Sequence, residues 1–155
     1  MWLLIVTVIV FNAIFLFMPK RLTPIELFST CMFAMVLQQL VDLAFDLKLD
    51  WYGYFAPGVQ WAYYIAILGI YPAVNAIFLN YYQFMKSKAQ KFWYLVGWCI
   101  FAVVYEWLAI KSGYFYYHQW KVWYSAISYP FLYMILLLVL KTVRALVRTS
   151  VQTET

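Results

Sequence analysis

The stretch from Ile25 to Leu47 reads IELFSTCMFAMVLQQLVDLAFDL. A helix crosses the hydrocarbon core of a bilayer with about 20 mostly apolar residues. This stretch has that length, yet it carries Gln38, Gln39, Asp42 and Asp46 in its second half. At about 100° per residue these four fall within an arc about 100° wide, with Leu37, Leu40, Val41, Leu43, Ala44 and Leu47 over the rest. A carboxylate facing lipid costs about 3 kcal/mol or more, so the polar stripe must face other helices or a wet cavity. The stretch predicts one transmembrane helix of a bundle.

The rest of the chain repeats the pattern. Of 155 residues, 67% are hydrophobic, 23% aromatic and 11% charged. A soluble domain is nearer a quarter charged, so a soluble monomer, a disordered chain and a disulfide-rich secreted scaffold are excluded. Apolar segments of spanning length occur at about 2–18, 25–47, 59–84, 92–110 and 129–147, separated by charged or turn-forming residues. The predicted fold is all-α: a polytopic membrane protein, an antiparallel bundle of five transmembrane helices. Residues 1–148 form a single domain, with 149–155 as a short tail. The apolar runs are continuous and do not alternate, which excludes a transmembrane β-barrel. The first run has no basic residue before it and no small-x-small site after it, so it reads as a retained helix rather than a signal peptide.

Basic residues set the orientation, because Lys and Arg collect in short cytoplasmic loops. With the N-terminus outside, the cytoplasmic side holds eight: Lys20, Arg21, Lys86, Lys88, Lys91, Lys141, Arg144 and Arg148. The outside holds three, Lys48, Lys111 and Lys121. The expected topology is therefore N-terminus out and C-terminus cytoplasmic. The net charge of +5 is an anchor against anionic lipid and does not imply nucleic acid.

Two helix starts carry capping signals. Thr23-Pro24-Ile25-Glu26 reads as a capping box with Pro at the first helical position, which gives Glu26 a structural role. Ser128 before Tyr129-Pro130 predicts the cap of the last helix. Pro72 predicts a kink in the third helix beside Gly69. Cys31 and Cys99 read as small packing residues on a reducing side of the membrane.

The fourth helix carries Glu106 at depth, on a face with Cys99, Ala102, Ala109 and Gly113 that admits close helix packing. Asp42 and Glu106 are each four or five residues from the outer ends of their helices and so share a depth. Asn75 shares an aromatic stripe with Trp61, Tyr64, Leu68, Tyr71, Leu79 and Tyr82. The outer loops, Trp51–Phe55 and Tyr114–Tyr124, are aromatic and belong at the membrane interface. The sequence therefore places an acidic group, Asp42, Asp46 and Glu106, under an aromatic roof. The lone His118 and Lys48, Lys111 and Lys121 are near enough to pair with it. Clustered carboxylates repel, so one of them holding a proton at neutral pH would suit a proton relay, a cation site or acid–base chemistry. The plain reading stands beside it. Asp46 snorkels toward Lys48, and Asp42 and Glu106 pair with tyrosine hydroxyls, Gln or Lys to fix helix register. The candidate polar or ion site is Gln38, Gln39, Asp42, Asp46, Glu106 and His118, supported by Asn75, Tyr71, Tyr105 and Trp120. One His with no neighbouring Cys is a poor zinc site. No phosphate loop, catalytic triad or mid-membrane Lys is present, so no metal, cofactor or catalytic residue is expected.

The residues Gln39-x-x-Asp42, with Tyr105-Glu106-Trp107 through Gly113, Trp120, Trp123 and Ser125, resemble an uncharacterised family. Its members are small five-helix multipass membrane proteins of spore-forming Gram-positive bacteria. The resemblance implies a bacterial cytoplasmic-membrane location and no activity. The spacing Glu106…Gly113…Trp120 is also loosely similar to carotenoid (lycopene) cyclase-type membrane domains, without a complete cyclase motif. Three functions follow. The first is a non-enzymatic structural, sensory or interaction subunit, in contact with lipid and with a second copy or a membrane partner. The second is a small transporter or proton- or cation-conducting subunit using Asp42, Asp46 and Glu106. The third is a membrane enzyme on a lipophilic, isoprenoid-like substrate.

Overall fold

The computed structural model describes residues 2–54, 61–113 and 115–153. The start of the third expected span (residues 59 and 60), Phe55 and Tyr114 lie outside them, as does the side chain of Trp61. The helices are α1 (Trp2–Phe17), α2 (Pro24–Asp42), α3 (Trp61–Gly69), α4 (Tyr71–Tyr82), α5 (Lys88–Lys111) and α6 (Val122–Thr153). A π-helical segment, Leu43–Lys48, continues α2, and strands β1 (Tyr52–Tyr54) and β2 (Phe115–Tyr117) follow α2 and α5.

Four helical stretches are long and apolar enough to cross a membrane: Pro24–Lys48, Tyr63–Tyr82, Lys88–Lys111 and Val122–Ser150. The first helix is equally apolar but has 16 residues, about 24 Å at 1.5 Å per residue, against a hydrocarbon core of about 30 Å. The outer surfaces are greasy, with Ile9, Phe17, Phe28, Leu68, Trp93 and Leu138 all exposed.

Local chemistry explains the boundaries. Thr23 caps α2 as a capping box: the Glu26 amide donates to Thr23 Oγ1, and Glu26 Oε2 accepts from the Thr23 amide at 2.8 Å. Ser87 and Gln90 do the same for α5. The kink expected at Pro72 is a break between α3 and α4 at Ile70. Proline has no N–H to offer the Leu68 carbonyl. The neighbouring Gly69 carbonyl is tied instead to α1, where Asn12 Nδ2 donates to it at 2.7 Å. Gly113, at φ 77°, ends α5 in the left-handed conformation that glycine adopts without strain.

One expected helix start is corrected. Ser128 does not cap the last helix; its hydroxyl donates to the Tyr124 carbonyl at 2.8 Å inside α6, and Pro130 is also internal. The helix begins at Val122 because Tyr124 already bonds back to Lys121 at 2.8 Å. Proline is tolerated there because the outer carbonyls it orphans can be met by side chains and neighbouring helices.

The two halves of the bundle differ. At the end where α1 joins α2 and α4 joins α5, the interior is solid. Phe78 is fully buried, with Tyr133 at 4.5 Å between ring centroids and Tyr94 stacked at 5.7 Å. Asn80, fully buried, ties the α1–α2 turn to α4: it donates to the Pro19 carbonyl at 2.8 Å and accepts from the Arg21 amide at 2.6 Å. Glu26 meets Arg144 of α6 at 2.6 Å, and the same guanidinium donates to Gln83 at 2.9 Å. The other end is hollow and is covered by the β1–β2 sheet.

Candidate functional site

The sheet is antiparallel, with Tyr52 opposite Tyr117, Gly53 opposite Tyr116 and Tyr54 opposite Phe115. Side chains alternate across a strand, so Tyr52, Tyr54, Phe115 and Tyr117 share one face. That face turns into the bundle. On the other face the Tyr116 ring lies over Gly53, where a Cβ would come within 2.5 Å of the Tyr116 hydroxyl oxygen. The sheet is pinned further by the Trp51 carbonyl, which accepts from the amides of His118, Gln119 and Trp120 at 2.9, 3.0 and 2.9 Å.

The cross-strand pair holds the two buried carboxylates at this end of the bundle, Asp42 and Glu106. Tyr52 donates to Asp42 Oδ1 at 2.8 Å, and Tyr117 donates to Glu106 Oε1. Asp42, 1% exposed, also accepts from Gln38 Nε2 at 2.9 Å and from Tyr63 at 2.9 Å. Glu106 also accepts from Ser125 at 2.6 Å and from Tyr129, and Ser125 in turn accepts from Trp120 Nε1 at 2.7 Å. Each carboxylate is thus surrounded by neutral donors. Hydrogen bonds to a charged acceptor are the strong class, worth about 1.5–3 kcal/mol each. The two lid tyrosines are held neutral: burial, and then the adjacent carboxylate, push both phenols well above their ordinary range.

The other candidates are placed differently. Gln39 is exposed and accepts from Tyr63 at 3.2 Å. Asp46 is half-buried, takes none of the hydrogen bonds that reach Asp42 and Glu106, and lies within electrostatic range of Asp42. Leu43–Lys48 is π-helical, and its i→i+5 bonding turns each residue through less than the α-helical angle, which keeps Asp46 near the face of Asp42. His118 does not meet the buried acids; its Nδ1 lies 3.0 Å from Asp50 on the exposed surface of the lid. Lys111 lies over the Trp107 ring at 5.8 Å. Asn75, 4% exposed, donates to Cys31 Sγ at 3.7 Å, and its Oδ1 has no partner among the described residues. Cys31 and Cys99 are free thiols in the helix interfaces.

Beneath the lid is a cavity of about 470 Å³. All six helices contribute to its wall. Glu106, Gln38, Tyr71, Tyr105, Trp120 and Asn75 supply its polar edges, and residues such as Phe11, Ala34, Ala66, Phe101, Ala102 and Leu136 supply its apolar surface. Small-molecule sites typically enclose about 300–1,000 Å³, mostly apolar with a few placed polar groups. No group of three or more His, Cys, Asp or Glu that could hold a metal ion occurs among the described residues.

Tyr52, Tyr63, Tyr117, Ser125 and Tyr129 were not singled out as ligands of the carboxylates from sequence. Their signal is spacing: each hydroxyl lies 10 to 23 residues after the acid it serves. Comparison with protein-family models, curated proteins and solved structures returns no match.

Proposed function

We propose that the chain is a non-enzymatic integral membrane protein, a sensory or interaction subunit, that admits a lipophilic molecule to the chamber under its two-stranded lid. The observation that carries this is the chamber itself, hollow and largely apolar in a bundle whose other half is solid. The lid is anchored through Tyr52 and Tyr117 to acids on two different helices, so a guest that spreads those helices acts directly on the lid. Such coupling is what a sensory subunit requires.

In this reading the chain crosses the membrane five times, with the N-terminus and the lid outside and the C-terminus in the cytoplasm. The distribution of basic residues supports it. The resemblance of Gln39-x-x-Asp42 and the Tyr105–Ser125 region supports a bacterial cytoplasmic membrane. Proton or cation conduction through Asp42, Asp46 and Glu106 is the second reading. It is favoured by the break between α3 and α4 in the chamber wall, which could serve as a hinge. It ranks behind because the donors on Asp42 and Glu106 leave little room for a hydrated ion.

Two measurements test the proposal. Reporter fusions in the Lys86–Lys91 loop should report a cytoplasmic location and fusions at Lys48 an external one; the reverse would refute the topology. Native mass spectrometry of the purified protein should show one lipophilic molecule retained per chain. A chain that retains none, and whose thermal unfolding responds to no added lipophile, would refute the binding function.

A further inference from the structure

The charge at the chamber wall has one sign. Glu106 takes three donated hydrogen bonds, and a carboxylate has about four lone-pair sites. Asn75, buried on the same wall, has an amide oxygen with no partner among the described residues. An unpaired buried acceptor is costly and calls for an occupant that donates. Asp42 adds a second negative charge behind Gln38 and Tyr52. Among the described residues no Lys, Arg or His lines the chamber, so no cation on the wall answers this charge. The wall is also rich in π-faces, among them Phe101, Tyr105, Phe115, Trp120 and Tyr129. Rings around a desolvated cation attract it through their quadrupoles.

Resting on the binding function proposed above, we infer that the chamber is selective for a lipophilic amine in its protonated form. Its ammonium lies against Glu106 and the surrounding rings. Its apolar body runs down the bundle past Ala34, Ala66 and Ala102, and a further donor on it reaches Asn75. A fatty anion of the same length meets two carboxylates and is rejected. A fatty alcohol of the same length fills the apolar volume but leaves the negative charge unanswered. A bare metal ion finds no group of three or more His, Cys, Asp or Glu among the described residues.

The test uses the full chain in phosphatidylcholine nanodiscs with dodecylamine, 1-dodecanol and dodecanoate as probes. Binding is read from the shift in thermal unfolding and from tryptophan quenching, always as the difference from the chamber-filling variant Ala102→Leu. That variant keeps both carboxylates and all their donors, which Glu106→Gln would not. Dodecylamine should bind at least about tenfold more tightly than 1-dodecanol, the scale of one desolvated cation–π or charged contact. Dodecanoate should show no specific binding. Ala102→Leu should abolish the specific signal, and Asn75→Leu should weaken it severalfold. Equal binding of dodecylamine and 1-dodecanol, both lost in Ala102→Leu, overturns the amine assignment and leaves the chamber as a lipophile site. Dodecylamine binding that survives both Ala102→Leu and Asn75→Leu lies elsewhere and overturns the inference. No specific response to any of the three probes overturns the inference together with the binding function beneath it.

Discussion

Ser125→Ala is the most telling single change in the site. The Ser125 hydroxyl donates to Glu106 Oε1 at 2.6 Å and accepts from Trp120 Nε1 at 2.7 Å, and the residue is 4% exposed. Alanine removes one hydroxyl and breaks both bonds. The bond to Glu106 has a charged acceptor and is worth about 1.5–3 kcal/mol, and the indole bond is worth about 1 kcal/mol. Together they give about 2.5–4 kcal/mol. Interhelical bonds measured in membranes average about 0.6 kcal/mol, because the inserted but unpacked state also finds partners, so the Ser125–Glu106 bond with the local indole bond gives a floor of about 1.6 kcal/mol. We expect about 3 kcal/mol, since Glu106 is buried and among the described residues keeps Tyr117 and Tyr129. The assay is reversible unfolding of the detergent-solubilised protein in graded denaturant, with Trp120 fluorescence reporting the freed indole. Ser125→Thr retains the hydroxyl and should recover most of the loss. A cost below about 1 kcal/mol for the alanine variant, or no difference between alanine and threonine, would mean that Ser125 does not bridge Trp120 to Glu106.

Further outcomes follow from other contacts. Asn80→Ala breaks the bonds to Pro19 and Arg21 at the α1–α2 turn, and unfolding should show a loss of about 2–4 kcal/mol. Arg144→Lys should not restore what Arg144→Ala loses, because one guanidinium serves Glu26 and Gln83 at once through Nε and an Nη. Comparing the unfolding midpoints of the two variants checks this. Tyr52 and Tyr117 are neutral phenols whose folded-state values lie above those of the unfolded chain. Their contribution to stability is present below the ordinary phenol value of about 10 and is lost as pH rises through the folded-state values. Ultraviolet titration should therefore show late-ionising tyrosines, and stability should fall above about pH 10; Tyr52→Phe should reduce that alkaline loss.

The sequence resolved some elements and missed others for physical reasons. The capping box at Thr23, the break at Pro72 and the burial of Asp42 and Glu106 each depend on residues within a few turns of one another, so spacing reveals them. Ser128 misled because serine before a proline reads as a cap, and only the preceding turn from Val122 places both inside α6. The lid was legible only as aromatic loops. Its strands have three residues each and pair across residues 55–114, so neither shows an alternation long enough to read. Asn75 was legible as a polar residue on an aromatic face, but that its oxygen has no partner among the described residues depends on packing between helices, which spacing does not show.

The sequence separations around the two acids bear on how the chain is assembled. Asp42 draws Gln38 from one turn earlier, and Tyr52 and Tyr63 from 10 and 21 residues later. Glu106 draws Tyr117, Ser125 and Tyr129 from 11, 19 and 23 residues later. Each acid is therefore solvated by chain that emerges just behind it during synthesis, and neither waits for the far half of the protein. The β1–β2 ladder is different, since it cannot close until α3, α4 and α5 are all in place. These two carboxylates are hydrogen-bonded locally and early, whereas the β1–β2 ladder, like the Glu26–Arg144 pair, closes late and marks a finished bundle.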